Sequence, residues 1–188
     1  MVAVAAAGNP NTPPEALAEL LKKGRIDWPS QRAAENSNCP PEILAEILER
    51  EDNSLVSRYA AANRNCPPAS LFKVLAKGTN DYVSQRAAEN PNCPLEVMEK
   101  ILDEGKNWEV SWLVALNPNA PSQSLAKVLQ KKRDNELEQF AARNPNCPIE
   151  ALIDVITSIP DSIVAMYSRK NSTYKTYLEN LKTKEDHE

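Results

Sequence analysis

The sequence contains few of the residues on which most enzyme and metal sites depend. It has one histidine, four glycines and few aromatic residues, which make up 5% of the chain. The histidine, His187, lies in a charged C-terminal tail, and the glycines are scattered. Neither a histidine-based catalytic group nor a glycine-rich phosphate loop can be assembled from them. The sequence therefore predicts a protein that is not an enzyme and that holds no cofactor and no metal.

Long apolar runs and an excess of positive charge are also missing. No stretch approaches the roughly 20 apolar residues of a membrane-spanning helix, and the first residues lack the basic segment of a secretion signal. The formal net charge is −4, whereas nucleic-acid and membrane-surface binders usually carry a basic face. Four cysteines in such a chain are typical of free thiols in a reducing compartment. We therefore expect a cytoplasmic protein that contacts no membrane.

An internal repeat with a constant period of 27 residues dominates the sequence. One asparagine, which we call the anchor, recurs at Asn9, Asn36, Asn63, Asn90, Asn117, Asn144 and Asn171, with no insertion or deletion. A second asparagine follows the first six anchors after two residues, and a proline follows them after four. All prolines except Pro29 and Pro160 lie in this N-x-N-x-P-x turn. Such a fixed period is typical of an array of stacked repeats.

Each repeat predicts two helices. The segment after the turn prolines, the proline helix, has apolar residues at i, i+3 and i+4, as in Leu44, Ile47 and Leu48. The segment before each anchor, the alanine helix, carries alanine pairs such as Ala60-Ala61, which permit a close approach of neighbouring helices. We expect it to end at the anchor because proline disfavours helical geometry in the residue before it.

The ends of the proline helix carry further signals. Thr12-Pro13-Pro14-Glu15 has the form of a capping box, with Thr12 at the N-cap. Four cysteines occupy the same cap position in other repeats: Cys39, Cys66, Cys93 and Cys147. Gly24, Gly78 and Gly105 are placed to end the helix in the left-handed conformation.

Two short helices cannot bury their apolar faces alone, but a stack of such pairs can. We therefore predict an all-α solenoid that forms a single domain over residues 1–188. Residues 1–8 are a partial N-terminal unit, and residues 171–188 are a degenerate C-terminal cap with a frayed end. Between them lie six repeats, anchored at Asn9, Asn36, Asn63, Asn90, Asn117 and Asn144.

The repeat unit A-A-x-N-P-N-C/T-P-P-E-x-L-x-x-L, with a V-S-x-R-type segment before it, resembles the leucine-rich repeat variant family. The resemblance extends from Ala5 to about Ile156 and recurs six times. It implies alternating helices, some of them 3₁₀, wound into a right-handed superhelix, and a bacterial repeat module. Because the period is longer than is usual in the family, the alanine helix could be α or 3₁₀. One family member is associated with an iron–sulfur cluster in a cysteine-rich N-terminal region. That region has no counterpart here, so the cluster is not carried over.

Candidate binding residues lie in the alanine helix, four and five positions before each anchor. These pairs vary between repeats, and at least one residue of each should face solvent: Gln31-Arg32, Arg58-Tyr59, Gln85-Arg86, Trp112-Leu113, Gln139-Phe140 and Met166-Tyr167. Arginine and aromatic residues are enriched at binding hot spots. The predicted binding strip is Arg32, Arg58, Tyr59, Arg86, Trp112, Leu113 and Phe140. The alternative is that the aromatic residues fill core volume or cover the seam between repeats.

The recurring polar residues and cysteines have simpler structural interpretations. The anchors are expected to satisfy backbone groups and to bridge one turn to the next. Cysteines on repeats stacked about 8–10 Å apart are too distant for a disulfide, and a line of sulfurs cannot surround one metal. They are therefore expected to cap or pack. A last cluster, Lys127, Lys131, Lys132 and Arg133 followed by Asp134, Glu136 and Glu138, predicts a solvated connection.

Three functions remain open at this point. The leading hypothesis is a protein–protein interaction or scaffold module that presents a curved repeat surface to an unknown protein or peptide partner. The alternative is a nucleic-acid-binding helical repeat protein, since some such families contact one base per repeat. That function needs a continuous basic stripe, but the series Arg32, Arg58, Arg86 is lost at Trp112 and Gln139. A metal or redox role of the cysteine ladder is the third and least favoured hypothesis.

Overall fold

A computed structural model of the chain describes residues 2–106 and 108–185. Residue 1 of the predicted N-terminal unit and residues 186–188 of the predicted cap, His187 included, lie outside the described residues. Within them the regular structure consists of fourteen α-helices, with no strand and no 3₁₀ segment. The all-α prediction is confirmed, and the alanine helices are α. None of the described helices has the length and apolar character that crossing a bilayer requires.

The helices alternate along the chain as the repeat predicts. The proline helices are α2 (Pro14–Lys22), α4 (Pro41–Leu48), α6 (Pro68–Ala76), α8 (Leu95–Glu104), α10 (Ser122–Gln130) and α12 (Ile149–Ser158). The alanine helices are α1 (Val2–Gly8), α3 (Trp28–Glu35), α5 (Leu55–Ala62), α7 (Tyr82–Glu89), α9 (Glu109–Leu116), α11 (Glu136–Arg143) and α13 (Ile163–Lys170). Helix α14 (Ser172–Glu185) follows the last anchor in the place of a proline helix.

Contacts divide the chain into two compact units, with the boundary between Pro94 and Leu95. In the first unit the alanine helices α1, α3, α5 and α7 pack side by side in chain order, and α2, α4 and α6 form a second layer. In the second unit α9, α11 and α13 form one layer, and α8, α10, α12 and α14 form the other. Each unit is therefore a stack of helical repeats in which each helix contacts its counterpart in the next repeat. The single domain and the right-handed superhelix stay predictions.

The proline helices begin one residue later than the capping box predicts. In α4 the N-cap is Pro40, with extended backbone (φ −62°, ψ 136°), and Pro41 is the first helical residue. The Pro40 carbonyl accepts the amide hydrogens of Ile43 and Leu44 at 3.1 and 3.2 Å. No side chain caps this helix. The assignment of Thr12 and the cysteines to the N-cap is therefore wrong, because the φ that the proline ring fixes suits both the N-cap and the first turn.

Side-chain caps occur instead at the alanine helices, where none was predicted. Asp27 accepts the amide hydrogen of Ser30 at 3.0 Å, and Ser54 accepts that of Ser57 at 3.1 Å. Asp81, Asn135 and Ser162 make the corresponding bond in α7, α11 and α13. Each cap satisfies one of the backbone donors that a helix N-terminus leaves unpaired.

The alanine helices end at the anchors without requiring proline. Asn36 and Asn63 have extended backbone (ψ 133° and 132°), although serine and arginine follow them. Asn90, which precedes a proline, has the same geometry. The explanation from the following proline is therefore incomplete, and the hydrogen bonds of the anchor side chain account for the shared geometry.

The core of each unit lies between its two helical layers. Leucine, isoleucine and valine side chains of the proline helices are buried there against the alanine pairs, which are completely covered at Ala60 and Ala61. The predicted apolar stripe also includes three residues that are only half-buried: Leu20, Ile101 and Ile156. The small alanine side chains bring the backbones of neighbouring alanine helices close enough for hydrogen bonds between repeats.

The charged segment of residues 127–138, which extends from α10 into the first turn of α11, is not simply a solvated connection. Glu138 is 1% exposed, and its carboxylate accepts the amide hydrogens of Arg133 and Asp134 at 2.9 and 2.7 Å. Lys127 and Lys132 pair with Asp103 and Asp154 of the adjacent repeats. The prediction of a solvated connection is therefore wrong for Glu138, since a carboxylate can be buried where backbone donors satisfy it.

Candidate functional site

The anchor asparagines connect neighbouring repeats through their side chains. The Nδ2 group of Asn63 donates to the carbonyls of Ala34 and Asn36 at 2.7 and 2.9 Å, and its Oδ1 accepts the amide hydrogen of Asn65 at 2.9 Å. Asn36 and Asn90 make the same bonds in the first unit, as do Asn144 and Asn171 in the second. The structural role predicted for the anchors is confirmed.

The second asparagine of the turn adds a parallel set of bonds. The Nδ2 group of Asn65 donates to the carbonyl of Ser37 at 2.5 Å and to that of Cys39 at 3.2 Å. In the last repeat the hydroxyl of Thr173 donates to the carbonyl of Pro145 instead. The polar side-chain atoms of both asparagines of the turn are thus hydrogen-bonded to the backbone of the repeats. The outward faces of the helices are therefore the better candidates for a ligand-binding surface.

The cysteine ladder is buried and unpaired. All four cysteines are free thiols with at most 5% of their surface exposed. Burial raises the pKa of Cys39, Cys66, Cys93 and Cys147 to about 12. A thiol must lose its proton to act as a nucleophile or a metal ligand, so burial and the raised pKa disfavour both roles and agree with the packing role that the sequence predicts. Among the residues that the structure describes, no group of three or more histidine, cysteine or carboxylate side chains is placed to hold a metal ion.

The predicted strip residues of the first unit lie on the solvent side of the alanine helices, and two of the arginines are paired. Arg32 binds Glu35 at 2.8 Å and Arg86 binds Glu89 at 2.6 Å, each pair within one helix. Arg58 differs, because its guanidinium carbon lies 4.2 Å from the centroid of the Tyr82 ring in the next repeat.

Three of these strip residues, Arg58, Tyr59 and Arg86, line one groove across α3, α5 and α7. The groove has a volume of about 470 Å³, and its lining consists of Glu35, Leu55, Arg58, Tyr59, Ala62, Asn63, Tyr82 and Arg86. Arg32 lies outside this lining, although its partner Glu35 belongs to it. We call this feature the α5 groove, since α5 supplies most of its wall.

Leu55 and Tyr82 are groove residues that the sequence analysis missed. Both occupy the position eight before the anchor, and they are 45% and 56% exposed. A residue four positions before the predicted strip lies on the same helical face, so helical spacing could have identified both.

In the second unit the strip is arranged differently. The rings of Trp112 and Phe140 lie 5.7 Å apart, and the guanidinium of Arg143 lies 3.8 Å from the Tyr167 centroid and 5.2 Å from the Phe140 centroid. The three aromatic residues are half-buried, as is Leu113. These contacts join neighbouring repeats, so the aromatic residues here cover the seam, which is the alternative that the sequence left open.

No family model, curated protein or solved structure matches this chain. The resemblance to the leucine-rich repeat variant family, with the bacterial source that it implies, therefore stays a prediction. The α5 groove is the candidate functional site of the described residues. This groove offers a cationic fork, aromatic faces and an aliphatic side chain, which are the means of recognising a ligand.

Proposed function

We propose that this chain is a protein-interaction module that binds a peptide segment of its partner in the α5 groove. The observation that carries the proposal is the exposure of Leu55 and Tyr82 beside Arg58 in one groove. Aromatic residues and arginine are the side chains most enriched at binding hot spots. When a ligand covers apolar side chains in a groove, their surface is removed from water, and this burial favours binding.

The repeat itself indicates that these apolar residues are not needed for folding. The position eight before the anchor is occupied by glutamate in two other repeats, Glu109 and Glu136. The scaffold therefore accepts a charge at this position. Exposed apolar residues also occupy this position at Trp28 and Ile163, which lie outside the groove. Leu55 and Tyr82 differ from them because they share one groove with Arg58, and this supports contact with a partner.

The pairing of the arginines favours a protein partner over a nucleic acid. Nucleic-acid binding depends on cations that are available to neutralise phosphates. Arg32 and Arg86 are matched by Glu35 and Glu89, and the chain has a formal net charge of −4. A continuous basic stripe is therefore not offered by the alanine helices of the first unit.

A cytoplasmic location belongs to the same proposal. It is supported by the four thiols, which are buried and free rather than joined in disulfides. Such thiols are typical of proteins in reducing compartments.

The proposal can be tested by selecting peptides from a random-sequence display library on the full chain. Selected peptides should lose at least tenfold in affinity for Tyr82→Glu, a substitution that the repeat accepts at this position. Ile163→Glu is the matched control, because Ile163 has the same repeat position and is exposed outside the groove. Failure to enrich any peptide, or equal binding to wild type and Tyr82→Glu, would show that the α5 groove is not the binding site.

A further inference from the structure

Resting on the function proposed above, we infer that the partner segment carries an acidic side chain next to an aromatic or large aliphatic one. The acidic group would bind Arg58, and the apolar side chain would lie between Leu55, Tyr59 and Tyr82. The inference follows from how Arg58 is held, from the charges around it and from the size of the groove.

Arg58 is held in place while its terminal nitrogens remain available. The Tyr82 ring packs against the guanidinium at 4.2 Å, and Nε donates to Oδ1 of Asn53 at 3.3 Å. Among the described residues, Arg32 and Arg86 each lie within 3 Å of a carboxylate, whereas Arg58 makes no ion pair. A fixed guanidinium can bind a carboxylate through two parallel hydrogen bonds, and its loss of side-chain freedom on binding is small.

The charges of the groove select an anion of low charge. Glu35 in the lining is matched by Arg32 outside it, and Arg86 is matched by Glu89. The positive charge left over is that of Arg58. One carboxylate complements it, whereas a polyanion would also meet Glu35 in the lining, which carries the same sign as the ligand. The groove therefore favours a peptide carboxylate over a nucleic-acid strand.

The apolar lining requires a second group on the ligand. Leu55, Tyr59 and Ala62 lie on one face of α5 at helical spacing, and the small Ala62 side chain leaves open space beside Tyr59. The volume of about 470 Å³ lies within the range of roughly 300–1,000 Å³ that is usual for small-ligand sites. A space of this size accepts a few side chains of a peptide rather than the face of a folded domain.

Four matched sets of fluorescent peptides in a Gly-Ser background test the inference by fluorescence anisotropy. They present glutamate next to phenylalanine, glutamine next to phenylalanine, glutamate next to alanine, and lysine next to phenylalanine. The full chain should bind the first set at least tenfold more tightly than the glutamine and lysine sets, since a hydrogen bond to a charged group contributes about that much. It should also bind the first set at least tenfold more tightly than the glutamate–alanine set, because burial of the phenylalanine ring contributes a similar amount. Arg58→Gln should abolish the preference for glutamate over glutamine, and Arg58→Lys should retain part of it. Arg143→Gln, at an arginine that contacts two rings in the second unit, should leave it unchanged.

The outcomes separate this inference from the proposed function. Equal binding of the glutamate and glutamine sets, together with loss of both in Tyr82→Glu, would overturn the inference and keep the groove as a peptide site. If neither these peptides nor the display library binds, the proposed function is wrong as well. Tighter binding of a single-stranded oligonucleotide than of the first set, abolished by Arg58→Gln, would replace the peptide with a nucleic acid and overturn both.

Discussion

The side-chain amide of Asn63 donates a 2.7 Å hydrogen bond to the backbone carbonyl of Ala34 in the preceding repeat. Ala34 lies in the last turn of α3, where helix carbonyls have no partner within the helix. Each anchor of this kind therefore caps the C-terminus of the alanine helix in the preceding repeat, as Asn63 does for α3. In a repeat protein, such bonds belong to the interface between neighbours, on which the stability of the whole stack depends.

Asn63→Ala should reduce the free energy of unfolding by about 1–3 kcal/mol, since it removes the side-chain donor to the buried Ala34 carbonyl. The Asn36 carbonyl loses one of its two donors and keeps the amide hydrogen of Cys39 at 3.0 Å. Asn63→Asp should be more harmful at neutral pH, because a carboxylate oxygen would then face the carbonyls of Ala34 and Asn36. Urea unfolding followed by circular dichroism measures both effects.

Asn9→Ala is the matched control for this prediction. Asn9 occupies the same repeat position, is exposed, and accepts the amide hydrogen of Asn11 at 2.9 Å. Its replacement should cost less than about 1 kcal/mol, the usual contribution of one exposed hydrogen bond. Equal losses in Asn9→Ala and Asn63→Ala would show that the bonds between repeats contribute little.

Glu51→Gly should stabilise the protein. Glu51 lies three residues beyond the end of α4 and has a left-handed backbone (φ 56°). The same repeat position holds Gly24, Gly78 and Gly105, all with positive φ. A residue with a Cβ pays about 1–2 kcal/mol in this conformation. Lys77 pairs with Glu51 at 3.0 Å, but an exposed ion pair of this kind contributes at most about 1 kcal/mol.

Glu51→Ala separates the two contributions, because it removes the same ion pair and keeps the Cβ. The glycine variant should exceed the alanine variant by about 1 kcal/mol in the free energy of unfolding. If alanine proves as stable as glycine, the left-handed backbone is not the source of the difference.

The repeats could be predicted from the sequence alone because its strongest signals are local and periodic. The spacing of Asn36, Asn63 and Asn90 predicted the stacked turns, and the bonds between them followed from the chemistry of an amide. The N-cap was misplaced because Thr12 and Cys39 lie beside proline, which starts a helix without a side-chain cap. Both the bonds between the stacked turns and the position of the N-cap are therefore determined by the local geometry of the turn.

The groove could be predicted only in part. Arg58, Tyr59 and Arg86 were identified because they vary between repeats, but whether a cation is available depends on its partners. Arg86 is paired within its own helix, whereas Arg58 stacks on a ring of the next repeat. The period of the repeat does not reveal whether an arginine is paired or available, since this depends on side-chain rotamers and on the neighbouring side chains.

Glu138→Gln should reduce the free energy of unfolding by about 1–3 kcal/mol. The Glu138 carboxylate accepts the amide hydrogens of Arg133 and Asp134, and an amide in its place would turn a donor toward one of them. Glu150→Gln, at an exposed glutamate in the first turn of α12, should change stability by less than about 0.5 kcal/mol. Chemical denaturation of both variants at pH 7 gives the comparison, and equal effects would contradict the buried role of Glu138.

The buried thiols predict a loss of stability in alkaline solution. The pKa of each cysteine is raised from its ordinary value near 9 to about 12 by burial, so the folded protein keeps these protons while the unfolded chain releases them. The stabilisation from a raised pKa is complete below pH 9 and decreases as the pH rises toward 12. Between these two pH values the free energy of unfolding decreases by about 1.4 kcal/mol per pH unit for each thiol.

A variant with alanine at all four cysteines isolates this effect, because lysine and tyrosine titrate in the same range and are common to both proteins. Alanine already fills the position in one repeat, where Ala120 is 2% exposed, so the variant should fold. Between pH 8 and pH 10, the free energy of unfolding measured in urea should decrease by several kcal/mol more for wild type than for the variant, since four thiols contribute. In the folded wild type at pH 8, iodoacetamide should react far more slowly than with the unfolded chain. Parallel pH profiles together with rapid labelling would mean that the thiols are accessible, and the redox role of the ladder would then regain support.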